Sequence, residues 1–265
     1  MWLIFLKVMI RIFLLFLFAF SLKCLAIEAH KAEYILSLYE STQSSGIYGI
    51  EGKSIYTLKE ECSGWHTNEE LMVNFQLQDS AKSQLISKWT TFETFSGKSY
   101  QFDMTEKIND QDTSNFLGFA NISKNNQQAV YISDKEYQIK LDAKIEFPIM
   151  QLKNIITAAK QNKKVYNSNL FLGSEFSDTY NVVSAIIGHQ TPKINNDFDS
   201  ILIQDFYWPV YLAFYKPVLE LEKPEYTISA KLQENGVILE YIIDYGDFSI
   251  ISSLKKISAV NIDKC

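Results

Sequence analysis

Basic side chains are scarce in this sequence and poorly placed for binding a polyanion. The chain has 25 Lys and Arg against 31 Asp and Glu. Three of the basic residues, Lys7, Arg11 and Lys23, stand in the first 26 positions, where no acidic residue occurs, so 22 basic face 31 acidic side chains beyond them, a charge of −9. Nucleic-acid binding rests on neutralising phosphates with Lys and Arg, and this balance argues against it. It also gives no general attraction to anionic lipid headgroups.

Material for metal or nucleophile chemistry is equally thin. There are three histidines, and none of His30, His66 and His189 falls in a metal-ligand or nucleophile motif. The clusters Asp197-Phe198-Asp199 and Asp244-Tyr245-Gly246-Asp247 lack the spacing of an EF-hand loop, and Asp and Gly are ordinary turn residues. Gly173-Ser174-Glu175 misses the second glycine of a nucleophile elbow and the βα alternation around it. No internal repeat, low-complexity run or Pro-rich linker is present. These absences predict no catalytic residue, no metal site and no cofactor.

A long apolar run stands at the start. Lys7 and Arg11 precede an uninterrupted stretch from Ile12 to Phe20, and small and polar residues follow to Ala26. That is the layout of a secretory signal peptide, and the stretch alone falls short of the about 20 residues that span a bilayer. Cleavage after Ala26 is the expectation. An uncleaved anchor beginning at Met1 is the alternative, because Trp2 to Ile10 is also apolar apart from Lys7. Lys23 stands where a lipobox before Cys24 needs a small residue, which argues against a lipoprotein. The predicted product is one domain over 27–265, exported and without a transmembrane span. Loss of Cys24 with the leader leaves Cys62 and Cys265, and two cysteines in an oxidising compartment usually join. Two unrelated thiols, or a bond between molecules, are the alternatives.

From His30 onward the pattern is that of strands, roughly fifteen of them separated by turn signals. Leu71, Val73, Phe75 and Leu77 alternate with Met72, Asn74 and Gln76, the period of a half-buried strand. Similar segments cover Tyr34 to Tyr39, Ile47 to Leu58, Leu85 to Phe95, Ser99 to Met104, Phe116 to Ile122 and Tyr137 to Leu141. Near the C-terminus, Tyr226 to Leu232 and Val237 to Ile243 flank Asn235-Gly236, a dipeptide suited to a type I′ hairpin turn. One helix is predicted. It begins at Pro148, which lacks the N–H that would go unpaired there, carries Leu152, Ile155, Ile156 and Ala159 at helical spacing, and ends among Lys160, Lys163 and Lys164. Such a helix plugs an opening of the sheet or lines a cavity in it. The aromatic group Phe206, Tyr207, Trp208, Tyr211, Phe214 and Tyr215, in a strand broken by Pro209, is either core or the wall of an apolar ligand site. In the second case Trp208, Tyr211 and Phe214, with Ile155 and Ile156 of the helix, are the lining residues.

Several segments, in order, resemble the EipB-like family, a domain of unknown function in alphaproteobacterial envelopes. They are His30-Lys31-Ala32-Glu33-Tyr34, then GIYGIEGKSIYTLKEECSGW, then FPIMQLKNIITAAKQNKKVYNSNLFLGSEFSD, WPVYLAFYKP, and the run from Pro224 to Val260 that carries PEY, ENGV and DYGDF. The resemblance covers almost the whole chain after the leader. It implies a large, spiral-like, partly open antiparallel β-barrel in the periplasm, a role in envelope integrity, no established catalytic residues, and a bond between Cys62 and Cys265. One departure is visible: Phe171-Leu172-Gly173-Ser174 stands where the family pattern is expected to read FDGS.

Three function classes follow. The first is a non-enzymatic envelope protein whose curved sheet holds, or is capped by, an apolar ligand or a segment of another periplasmic protein, with a lipid or lipoprotein carrier as its sharper version. The second is a scaffold for another periplasmic protein. The third is an envelope hydrolase, which needs Glu175, Asp178, His189 and Asp244 to converge. Intact mass of the protein isolated from the periplasm is expected to correspond to a chain starting at Ile27 and to rise by two protons on reduction. A mass that retains residues 1–26 would identify the uncleaved anchor instead.

Overall fold

A computed structural model of the chain describes residues 27–78, 81–123, 127–132, 137–141, 144–174, 180–193, 200–217, 223–261 and 265. The predicted leader lies outside them, as do Glu175, Asp178, Asp197 and Asp199. Sixteen strands belong to it: β1 (His30–Ser41), β2 (Ile47–Glu61), β3 (Gly64–Leu77), β4 (Lys82–Thr94), β5 (Ser99–Ile108), β6 (Gln111–Ile122), β7 (Gln127–Tyr131), β8 (Tyr137–Lys140), β9 (Ile145–Glu146), β10 (Val165–Leu170), β11 (Asn181–Ile187), β12 (Thr191–Pro192), β13 (Phe206–Tyr215), β14 (Tyr226–Leu232), β15 (Ile238–Asp244) and β16 (Phe248–Ala259). The one α-helix among the described residues, α1, is Pro148–Lys160.

The strands run in the order β8-β7-β6-β5-β4-β3-β2-β1-β16-β15-β14-β13-β11-β10-β9, with β12 beside β13. Pairing is antiparallel throughout except between β9 and β10. The sheet curls on itself and does not close, because β8 and β9 do not pair with each other. Side chains bridge the gap instead. Tyr100 and Phe102 of β5 and Tyr131 of β7 pack in one cluster with Ile145 of β9, and with Phe147 and Phe171 beside β9 and β10. Tyr100 stacks on Phe147 at 5.0 Å, and its hydroxyl donates to Leu172 O at 3.2 Å. Gly173 is held to glycine here: at φ +77 a Cβ would lie 2.6 Å from the Phe102 ring.

One end of the curl is filled by α1. Ile149, Ile155, Ile156, Ala158 and Ala159 are buried in one cluster with Leu58 of β2, Trp65 of β3, Ala185 and Ile187 of β11, and Trp208 and Val210 of β13. The helix has Pro148 at its first turn, no side-chain cap from Phe147 and no acidic residue in its first turn. Its N-terminal cap comes from across the core. Glu93, at the end of β4, accepts the N–H groups of Ile149 and Met150, each at 2.8 Å. Burial, partly opposed by these two hydrogen bonds and by Lys153, pushes the Glu93 carboxyl up to about 7. At the helix C-terminus Asn162 takes a left-handed φ of 57° and Lys163 N–H returns to Ala158 O at 3.0 Å, a common way to end a helix. The Cys62–Cys265 disulfide stands beside this filled end, at the turn between β2 and β3, with Cα atoms 5.6 Å apart and 203 positions of sequence between them.

Two local expectations differ in detail from what is found. The hairpin of β14 and β15 is present, but Asn235 keeps a negative φ and only Gly236 is left-handed, at +86°. Gly236 N–H bonds to Gln233 O and Gln233 N–H to Val237 O, the three-residue turn with a bulge rather than the two-residue type I′ turn. Asn235 is occupied elsewhere: its amide donates to Leu202 O at 2.8 Å. Nor does Pro209 break its strand. β13 runs through it, and Pro209 O accepts Gly188 N–H at 2.7 Å, just where pairing passes from β11 to β12. The missing proline N–H thus falls at a gap in the ladder.

Closing a loop of 203 positions removes enough chain entropy to stabilise the fold by about 5 kcal/mol on the entropic model. Reduction, or Cys62→Ser, is therefore expected to lower Tm strongly, and an unchanged Tm in reductant would contradict this. Glu93 supplies a second expectation. Its carboxyl holds a proton more tightly folded than unfolded, so the native state binds more protons between pH about 4.5 and 7, and the group's contribution to stability falls as pH rises through that window. The unfolding free energy of Glu93→Gln relative to the parent, from urea titrations, should shift in the variant's favour across it, by at most about 3 kcal/mol; a difference that stays flat from pH 4.5 to 8 would show ordinary ionisation.

Candidate functional site

Away from α1 the inside of the curl is not filled. A cavity of ≈ 410 Å³ lies on the concave face, walled on one side by Leu71, Val73 and Phe75 of β3 and Leu85 and Met104 of β4 and β5, and on the other by Tyr241, Phe248 and Ile250 of β15 and β16. Strand parity builds it. Inward positions alternate along β3, and the pairings Gly52↔Val73↔Leu85 and Ser54↔Leu71↔Ser87 carry each row across to the next strand. Gly52 permits the close fit on β2, since a Cβ there would meet Met72 O at 2.6 Å. Aromatic rings close the side nearest solvent: Phe75 and Phe248 meet edge-on at 6.4 Å, and Tyr245 stacks on Phe248 at 5.1 Å.

Two carboxyls interrupt the apolar wall. Glu69 pairs across the sheet with Tyr56 and Trp89, and Ser54 Oγ donates to its Oε1 at 2.8 Å. Glu69 is half-buried because the surface it keeps is cavity wall; burial raises its carboxyl above the usual range, opposed by the Ser54 hydrogen bond. Glu106 stands one inward step nearer the Tyr245 side, in the row Leu71↔Ser87↔Glu106. Burial also raises the nearby phenols Tyr34, Tyr56 and Tyr241, so these rings are neutral hydroxyls at neutral pH. Among the described residues no Lys, Arg or His lines the cavity.

The five residues singled out in the sequence lie elsewhere and not together. Ile155, Ile156 and Trp208 pack against one another at the filled end. Phe214 is buried in a separate cluster with Leu170 and Val183 and stacks on Tyr226 at 4.4 Å. Tyr211 is odd where Trp208 and Phe214 are even, so it faces outward, 40% exposed, in a shallow groove with Ile186 and Pro209. Glu69 and Glu93 carried a readable signal: extending the inward parity of Leu71 to Phe75 and of Leu85 to Trp89 places a carboxyl on the apolar side of each strand.

The groups proposed for catalysis do not assemble among the described residues. His189 is exposed beside Lys164 Nζ at 3.3 Å, and Asp244 accepts Gly246 N–H within its own turn at 2.8 Å. His30 is buried, with Nδ1 2.7 Å from Glu28 O, and burial lowers its pKa. His66 meets Glu61 at 3.2 Å at the edge of an open groove of ≈ 600 Å³ on the convex face. No group of three or more His, Cys, Asp and Glu converges as a metal site, and no helix is long and apolar enough to cross a membrane, both among the described residues.

Comparison with known proteins follows the fold closely. The chain is 26% identical over 239 residues to the cell envelope integrity protein EipB of Brucella abortus (strain 2308), covering 89% of this chain and 85% of that protein. It is similar to the crystal structure of a β-barrel-like protein of a domain of unknown function from Brucella abortus, with a TM-score of 0.82 and 25% identity, covering 89% of this chain and 99% of the other. The model of the EipB-like family matches residues 22–261, and the chain belongs to that family.

Proposed function

We propose that this is an exported periplasmic protein without a catalytic role, which helps keep the cell envelope intact by holding an apolar ligand in the cavity of its spiral. The observation that carries the reading is the contrast between the two ends of one interior. The end at α1 holds a cluster of buried helix and strand side chains, whereas the end at Tyr245 keeps ≈ 410 Å³ of space among Leu71, Val73, Leu85, Met104 and Ile250. Unfilled apolar volume lowers stability, because its walls lose packing contacts, so its retention calls for an occupant. The name of the Brucella abortus relative supplies the envelope role, and the leader pattern and the Cys62–Cys265 bond fit an oxidising compartment.

A second reading rests on the convex face. Val165, Ile186 and Tyr211, 53%, 54% and 40% exposed, pair in one row across β10, β11 and β13 and present an apolar surface to another periplasmic protein. The two readings separate on one variant. Ser87→Phe places a ring in the cavity and leaves the outer row untouched. Binding of the apolar fluorophore N-phenyl-1-naphthylamine should weaken about tenfold or more in the variant, and protein isolated from the periplasm should carry a lipid-sized adduct in the parent alone. Equal binding by both, with a bare polypeptide mass, would sink the ligand reading and move the role to the outer row.

A further inference from the structure

We infer that the cavity selects an amphiphile whose polar end is a hydrogen-bond donor, an amine before all others, and rejects amphiphiles that end in a carboxylate or phosphate. The inference rests on the ligand reading above and adds the chemistry of the head group.

The wall is apolar from Leu36 to Phe248 apart from a few polar groups, and the two ionisable ones strong enough to orient a ligand are both carboxyls, Glu69 and Glu106. They stand two strands apart and two residues offset along them, roughly 12 Å at the strand spacing and rise, with Trp89 and Ser87 of β4 between them. Both are acceptors when ionised. Glu69 receives one hydrogen bond, from Ser54, and makes no ion pair among the described residues. Its cross-strand neighbours Tyr56 and Trp89 bring no positive charge. Lysines on the neighbouring strands are engaged outside: Lys53, next to Ser54 on β2, pairs with Glu33 at 2.8 Å, and Lys88, next to Trp89 on β4, pairs with Glu70 at 3.9 Å. A carboxyl in this position costs the protein desolvation. An ammonium beside it supplies the missing counter-charge and donors, a charge-assisted contact about twice as strong as a neutral one. A carboxylate or phosphate brings a second negative charge to the same wall.

Three ten-carbon probes test this: decylamine, decanol and decanoate, titrated at pH 7.5 below their micelle concentrations by displacement of N-phenyl-1-naphthylamine. Decylamine is expected to bind at least tenfold more tightly than decanoate, with decanol between them. Glu69→Gln and Glu106→Gln keep the shape of the side chain and remove its charge, and at least one should erase most of the amine preference while leaving decanol unchanged. Because the whole protein is acidic, Ser87→Phe serves as the control for surface attraction, and amine binding should be lost in it. Decanoate binding as tightly as decylamine would overturn the head-group inference and leave the ligand reading standing. An amine preference intact in both Gln variants, or in Ser87→Phe, would likewise overturn it. If none of the three displaces the fluorophore, and the fluorophore itself binds equally with Ser87→Phe, the ligand reading falls and the inference with it.

Discussion

Insertion of α1 between two walls of one sheet is the contact on which the remaining architecture depends. Ile155 and Ile156 meet side chains of β2 and β3 on one side and of β11 and β13 on the other, so the helix sets the radius at which the sheet must curl. Burying each isoleucine is worth about 1.5–3 kcal/mol, and the cluster adds Trp65 and Trp208, the largest side chains available. A helix that fills an interior needs its own polar ends satisfied. Glu93 does this from β4 by taking the N–H groups that Phe147 cannot cap. The same carboxyl therefore ties the helix to the wall opposite β10.

The interior that follows is asymmetric. A solid plug occupies the end near the disulfide, and open apolar volume remains at the end near Tyr245. Closure by side chains rather than by backbone makes this possible. A sheet closed by hydrogen bonds has a radius fixed by strand number and stagger, whereas an aromatic seam such as Tyr100, Phe147 and Phe171 leaves the circumference free to suit what lies inside.

Much of this was legible along the chain because period-two alternation and turn chemistry are local. The inward set Leu71, Val73 and Phe75, the helix opening at Pro148 and the hairpin around Gly236 all follow from neighbours within a few residues. Pro209 misled for the complementary reason: whether a strand tolerates proline depends on the partner strand, and the gap between β11 and β12 is a fact of tertiary pairing. The same holds for Glu93, whose partners lie 56 and 57 residues away. Among the aromatic residues of β13, parity separates Trp208 and Phe214 from Tyr211, but alternation alone does not say which side faces packed core and which faces space.

The place of β1 in the sheet has a consequence for how the chain reaches this state. Strands β1 to β8 form one meander of sequential neighbours, and β13 to β16 form another, each able to zip through short-range hairpins. They join only when β16 pairs with β1, a contact spanning more than 200 positions, as in Leu36↔Ser252. Long-range pairing of this kind is slow to form. Until it does, β1 is a bare twelve-residue edge, the kind of surface that pairs with other chains. A folding molecule is thus two half-sheets with matching sticky margins, open to pairing with other chains until the margins meet.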